Sequence, residues 1–292
     1  MPELPEVTTM VRGLKKKVLK RTIVDIWTDS EKNIKKPREF EDFRQGLIRA
    51  EIKSVKRKGK LLLFYFDNQK VLIVHPKMSG HFLFGQWEKK GGHWKPVKKG
   101  AFEDPMNRYI HLIFFLDNSQ MLAFSDLRKF ARIELWDRTN LSKAEILKDI
   151  GFDALEVSLK EFEEIIKKAK KKKIKQALMD QKLIAGIGNI YSDEMLFEAK
   201  ISPFKEANKL KKKEIKALFE AMKEVLKKGI RMSGSSISDF RKIDGKKGDF
   251  QEFLKVYHRQ GKKCVRCGSI IQREKIGGRS THFCPKCQKV NH

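Results

Sequence analysis

The sequence is poor in acid, in cysteine and in long apolar runs, and each shortage excludes something. Its apolar stretches are brief, such as Leu61 to Phe66 and Leu112 to Leu116, where a membrane-spanning helix needs about 20 residues. The first residues, Met1-Pro2-Glu3-Leu4-Pro5-Glu6, carry acids and prolines. A secretory signal would carry basic and then apolar residues there. Neither a membrane-embedded nor a secreted protein is expected. No cysteine precedes Cys264, and no internal repeat is visible.

The shortage of acid matters most. Only 37 Asp and Glu stand against 65 Lys and Arg in 292 residues, a net charge of +28. Lys enrichment also accompanies heat adaptation, but Glu then rises with it. The imbalance points instead to a polyanionic partner, nucleic acid first, bound through phosphates by counterion release. Apolar residues make up 40% of the chain and aromatics 10%, enough to bury a core and to exclude wholesale disorder. The length suits two domains with a small appendage.

The four cysteines, Cys264, Cys267, Cys284 and Cys287, read C-x2-C, sixteen residues, C-x2-C. Two such knuckles make a closed tetrahedral zinc site. A disulfide reading needs an oxidising compartment, which the missing signal argues against. With no open coordination position, one structural zinc ion is expected.

From residue 20 to about 136 the pattern is strand-like. Short β-rich runs at 22–27, 48–55, 61–66, 71–75, 109–116 and 120–124 are separated by turn signals such as Asp67-Asn68 and Asp117-Asn118-Ser119. So many short strands imply a sandwich or barrel. A helix is expected before them, from Pro5 to about Leu19, and the Lys- and Gly-rich residues 88–107 read as an exposed loop. After about residue 150 the period becomes helical. Ser158-Leu159-Lys160-Glu161 is a capping box, a second helix spans about 211–228, and Gly186-Ile187-Gly188-Asn189 breaks a segment that is helical at both ends. The Lys170 to Lys173 run precedes that segment.

Pro2 follows a Met1 that is normally removed before so small a residue, which would leave a secondary amine at the chain start. An α-amine titrates near 7.7–8.0, below a lysine at about 10.4, so more of it is neutral and able to form a Schiff base. Glu3 could then shuttle protons at the same centre.

Met1-Pro2-Glu3-Leu4-Pro5-Glu6-Val7 resembles the N-terminus of the formamidopyrimidine-DNA glycosylases, the Fpg/MutM family. The resemblance recurs at Arg57 to Leu62, at His75 to Gly80 (H-x-x-M-S-G), at Ser125 to Phe130, at Gln181 to Tyr191, and at Thr281 to Gln288 in the zinc finger. It implies an α+β, two-domain fold: an N-terminal β-sandwich flanked by a helix, then a helix-two-turn-helix domain with a β-hairpin zinc finger. The expected boundaries are 1–136, a linker at 137–157, 158–254 and 255–289, with duplex DNA in a basic cleft.

The activity implied is a bifunctional glycosylase and AP lyase acting on oxidised purines in damaged double-stranded DNA. Pro2 would be the nucleophile, Glu3 the proton donor, Lys60 the residue of β-elimination and Arg279 that of δ-elimination. Met78, Arg128 and Phe130 would fill the hole left by the extruded base, with Arg128 reading the orphaned partner. Lys170, Lys175, Asn189 and Tyr109 would be further DNA contacts, Tyr109 standing where relatives can have a histidine. Two positions depart from the family. Ser238 replaces a basic residue in the base-contacting loop, and Leu127 replaces the proline of Asp-Pro, which should loosen the loop before Arg128. A monomer in the bacterial cytoplasm, on the nucleoid, is expected. The rival readings are an endonuclease VIII-type glycosylase for oxidised pyrimidines and a catalytically idle DNA-damage-binding protein.

Overall fold

The computed structural model describes residues 1–289. They form two units. One comprises Met1–Lys148 with Met232–Gln251, the other Asp149–Arg231 with the residues from Glu252 onward. Residues 232–251, placed by chain order with the helical part, thus cluster with the first unit.

The first unit begins with α1 (Leu4–Lys17). Val7, Met10, Val11 and Leu14 recur at helical spacing and are buried, while Lys15 to Lys17 end the helix where its dipole favours cations. Eleven strands follow: β1 (Ile23–Thr28), β2 (Ile34–Lys36), β3 (Ile52–Lys58), β4 (Leu61–Phe66), β5 (Lys70–His75), β6 (His81–Gly85), β7 (Trp87–Lys90), β8 (His93–Pro96), β9 (Ile110–Leu116), β10 (Met121–Ser125) and β11 (Arg132–Asp137), with the short α2 (Phe40–Gln45) after β2. Four strands pair in the order β1-β9-β10-β6 and five in the order β2-β11-β5-β4-β3. Phe64, Phe82, Phe114 and Phe124 from the two sheets meet α1 in one core, the sandwich anticipated from the many short strands.

Residues 88–107, expected as an exposed loop, instead begin with a hairpin. Gly91 and Gly92 have φ of +58° and +80°, which suits a two-residue turn between strands of right-handed twist. The apolar runs of β9 and β10 explain it. Phe114 and Phe124 point into the main core, but Ile113 and Ala123 point the other way and form a second cluster with Leu83 and Trp87. Trp94 of β8 packs on this cluster and meets Trp27 edge-on at 5.3 Å.

The second unit contains α3 (Leu159–Lys168), α4 (Ile174–Met179), α5 (Asn189–Glu198) and α6 (Lys212–Arg231). Ser158 and Glu161 form the anticipated reciprocal cap, with Ser158 N donating to Glu161 Oε2 at 2.8 Å and Glu161 N to Ser158 Oγ at 3.3 Å. Gly229 lets α6 approach α5, since a Cβ there would lie 2.6 Å from the Tyr191 ring. The antiparallel pair β12 (Gln272–Ile276) and β13 (Arg279–Phe283) carries the last cysteines. Among the described residues, no helix is long and apolar enough to cross a membrane.

Candidate active site

The start of α1 builds the first centre. Pro5 is tolerated in the first turn, where its missing N–H costs nothing. Glu3 caps the helix, and its own amide donates to Glu6 Oε2 at 2.8 Å. Both carboxylates are buried, Glu3 to 2% exposure and Glu6 to 1%. The other oxygen of Glu6 accepts from the amide of Ser235 at 2.7 Å. Pro2 is buried beside them. Burial pushes the α-amine at Met1 below its ordinary pKa, against the pull of Glu3, Glu6 and Asp239, and Lys60 pushes the same way as burial. The surroundings of the Met1 amine therefore favour its neutral form.

Lys60 is itself 6% exposed and acts electrostatically on both this amine and His75. Burial, then Lys77 and Lys60, hold the imidazole of His75 down at about 3. It is thus a neutral acceptor for the Lys77 amide, at 2.9 Å.

Met78, Arg128 and Phe130 are gathered by a buried carboxylate that sequence reasoning did not single out. Asp126 accepts Ser79 Oγ on one oxygen (2.5 Å) and the amide of Ala131 on the other (2.9 Å), while Ser79 Oγ accepts the amide of Arg128 (3.0 Å). The amide of Asp126 is held by the carbonyl of Tyr109 at 2.8 Å. The loop is pinned at both ends, so Leu127 in place of proline does not free it. Phe130 is 54% exposed, which removes it from the core, and the Arg128 guanidinium lies over its ring at 4.6 Å. Met78 is half-buried. An exposed ring, a stacked cation and a flexible thioether can wedge between and read bases.

In the second unit Arg279 opens β13 and is exposed. It follows Gly277 and Gly278, with φ of +55° and +74°. The tight turn and α4 border an open groove of about 370 Å³ lined by Lys172, Gln176, Asp180 and Arg279 among others. Lys175, expected to contact DNA, is fully buried, and its ammonium donates to Asp193 Oδ1 (2.6 Å) and the carbonyl of Ser280 (2.8 Å). A charge taken from water needs such partners, so it ties α4 to α5 and to the residue after Arg279. Asp193 completes the tie by accepting the amide of His282 at 2.8 Å.

The broken segment before Asn189 is braced by Gln181, which donates to the carbonyls of Met179 and Ile187 (both 2.8 Å) and accepts from Gly186 N (3.0 Å). Asn189 then opens α5, and Lys170 is exposed. Both are available to an anion.

The four cysteines converge, with their sulfurs all within 4.8 Å of one another. Cys264 and Cys287 lie 4.0 Å apart, Cys267 and Cys284 3.4 Å. A tetrahedron with metal–sulfur bonds of about 2.3 Å has edges of about 3.8 Å. Backbone amides of Arg266 and Cys287 donate to Cys264 Sγ and Cys284 Sγ, each at 3.4 Å. The donor set therefore fits a closed thiolate site.

Comparison with known proteins extends the likeness over the chain. Residues 1–133 match the formamidopyrimidine-DNA glycosylase N-terminal domain, 150–241 its H2TH domain, and 261–290 the zinc finger found in FPG and IleRS. A formamidopyrimidine-DNA glycosylase of Pelotomaculum thermopropionicum is 38% identical over 99% of this chain and 100% of its own. Two solved structures each show 35% identity and a TM-score of 0.85 over 99% of this chain and 100% of theirs. One is Lactococcus lactis Fpg with DNA containing Fapy-dG, the other MutM with DNA containing carbocyclic 8-oxo-G. Because the likeness runs through both units in order, and is not confined to a shared module such as the zinc finger, the chain belongs to the formamidopyrimidine-DNA glycosylase (Fpg/MutM) family.

Proposed function

We propose that this protein excises oxidised purines, 8-oxoguanine and formamidopyrimidines, from duplex DNA and cuts the strand at the resulting abasic site. Family membership supports the activity. The observation that carries the mechanism is geometric: Pro2 is buried next to the buried Glu3 carboxyl, whose backbone amide is held by Glu6 Oε2 at 2.8 Å. With Met1 removed, the Pro2 amine attacks C1′, the glycosidic bond breaks, and the base leaves with a proton delivered by Glu3. The C1′–O4′ bond then breaks, with O4′ taking a proton from Glu3, and the ring-opened iminium that results acidifies the C2′ protons. Loss of one expels the 3′ phosphate, with Lys60 serving this β-elimination, and δ-elimination, assigned to Arg279, then expels the 5′ phosphate.

Met78, Arg128 and Phe130 fill the vacated stack, and Arg128 reads the partner base, which favours lesions opposite cytosine. Lys170, Asn189 and Tyr109 are further DNA contacts. Cys264, Cys267, Cys284 and Cys287 hold one zinc ion, which contributes folding energy to the hairpin bearing Arg279 and takes no part in the reaction. The protein acts as a monomer in the bacterial cytoplasm.

Borohydride trapping on labelled duplexes tests the reading, because only an enzyme that forms the Schiff base becomes cross-linked. Strong trapping on 8-oxoguanine opposite C, with little on dihydrouracil opposite A, is expected. Dominant trapping on dihydrouracil would move the protein to the pyrimidine-directed branch. Binding without trapping on any duplex would make it a damage-binding protein.

A further inference from the structure

Residues 233–245 are bound at one end to the N-terminal centre. Ser235 donates its amide to Glu6, and Gly234 packs so closely that a Cβ would lie 2.8 Å from Glu6 Oε1. Asp239 acts electrostatically on the chain's first amine. The Ser235 hydroxyl is buried here without a hydrogen-bond partner, and a buried polar atom in that state calls for an explanation.

The rest of the segment is clasped from residues 101–108. Arg241, 5% exposed, sets Nε 2.9 Å from Asp104 Oδ2. Its Nη1 donates to two carbonyls of the segment, Ser238 at 3.0 Å and Phe240 at 2.8 Å. Asp104 is itself fixed, its other oxygen accepting the Met106 amide at 2.9 Å. Asn107 adds a second tie by donating to the carbonyl of Gly245 at 3.0 Å, and its Oδ1 lies 3.0 Å from Nε2 of the buried His81. A planar, multi-donor guanidinium faces one carboxylate and two carbonyls in a fixed geometry that a single ammonium nitrogen does not reproduce.

We propose that Arg241, held by Asp104, is a positioning residue for base excision: it fixes the 235–240 backbone against the N-terminal centre and so sets how a damaged base is seated. The proposal rests on the glycosylase reading above. The segment offers neutral amides, carbonyls and a hydroxyl beside the amine, groups suited to the edge of a base. Steps after the base has left involve the sugar and its phosphates, which are served by Glu3, Lys60 and Arg279. The clasp should therefore act on the first half of the reaction and spare the second.

The experiment compares wild type, Arg241→Ala, Arg241→Lys and Asp104→Asn on two duplexes, one with 8-oxoguanine opposite C and one with a preformed abasic site. With Arg241→Ala, kcat/KM for base excision should fall about tenfold to a hundredfold, as for a displaced positioning contact, while abasic-site cleavage stays within about threefold of wild type. Arg241→Lys keeps the charge beside Asp104 but loses the fork, and should fall between wild type and Arg241→Ala. It also supplies the answer if Arg241→Ala does not fold. Equal loss of both activities, or no loss of either, would overturn the clasp. A wild type inactive on both duplexes would overturn the functional reading, and the clasp with it.

Discussion

Glu3 is 2% exposed and sealed between Glu6 and the start of α1, whereas Arg279 stands exposed at a Gly-Gly turn stapled from below by four cysteines. The first environment tunes protons. Burial lowers the pKa of the N-terminal amine against the pull of the Glu3 and Glu6 carboxylates. The second leaves a guanidinium in water and fixes only its base, which suits a phosphate met late and bound by charge. On the proposed roles, chemistry on a glycosidic bond and on a phosphate leaving group would make opposite demands on the scaffold. One asks for desolvation, the other for reach.

The sharpest way to break this contrast is to remove the staple. Cys264→Ser, or chelation, should cost most, because structural zinc binding is worth about 10–16 kcal/mol and is coupled to folding. Hydrogen exchange should show β12 and β13 losing protection while the α1 strand sandwich keeps it, and metal analysis should show less than one zinc per chain. Undiminished DNA cleavage would mean the hairpin is dispensable. At the buried end, Glu3→Gln should slow base release by about 10² to 10⁴-fold, the usual scale for a lost proton donor, with duplex affinity little changed. Stopped-flow or quenched single-turnover assays read this directly, and an equal loss of binding would make Glu3 structural. Arg279→Ala should act more mildly, weakening duplex binding and strand scission about tenfold to a hundredfold as a charge-assisted phosphate contact is lost, without moving the melting temperature.

The last effect concerns stability against pH, and it leaves activity at neutral pH untouched. His75 is held neutral in the fold at about 3, below an unfolded value near 6.5. As pH falls from about 6.5 towards 3, the unfolded chain takes up the proton first, so stability drops by up to about 1.4 kcal/mol per unit. Above 6.5 His75 contributes no slope. His75→Gln should flatten that part of a denaturation-midpoint profile, and an unchanged slope would show the imidazole to be solvated.

Much of the fold was legible where local rules agree with the tertiary outcome. The run Leu61 to Phe66 became a strand with those bounds, and the Ser158–Glu161 cap formed as written. The hairpin of β7 and β8 was not legible, because its lysines mark it as exposed and only the two-faced apolar pattern of β9 and β10 demands the cover it supplies. The burial of Lys175 was not legible either: nothing local shows that Asp193, eighteen residues on, will pair with it. Asp126, Gln181 and Arg241 were missed because each acts through groups that only chain folding delivers, Asp104 lying 137 positions from Arg241 and Ser79 47 from Asp126. Glu6 carried a signal, its three-residue spacing from Glu3, that a capping-box search could have found.

By itself the sequence determined the excess of positive charge, the four thiols on two knuckles, the Pro2-Glu3 pair and the order of the family's motifs. Residue type and spacing suffice for these, since they depend on composition and on neighbours a few positions apart. Only the tertiary structure decided that Phe130 is exposed, that Lys175 is buried, and that residues 232–251 join the N-terminal unit with Ser235 on Glu6. Solvent exposure and a hydrogen bond spanning 229 positions depend on packing of the whole chain.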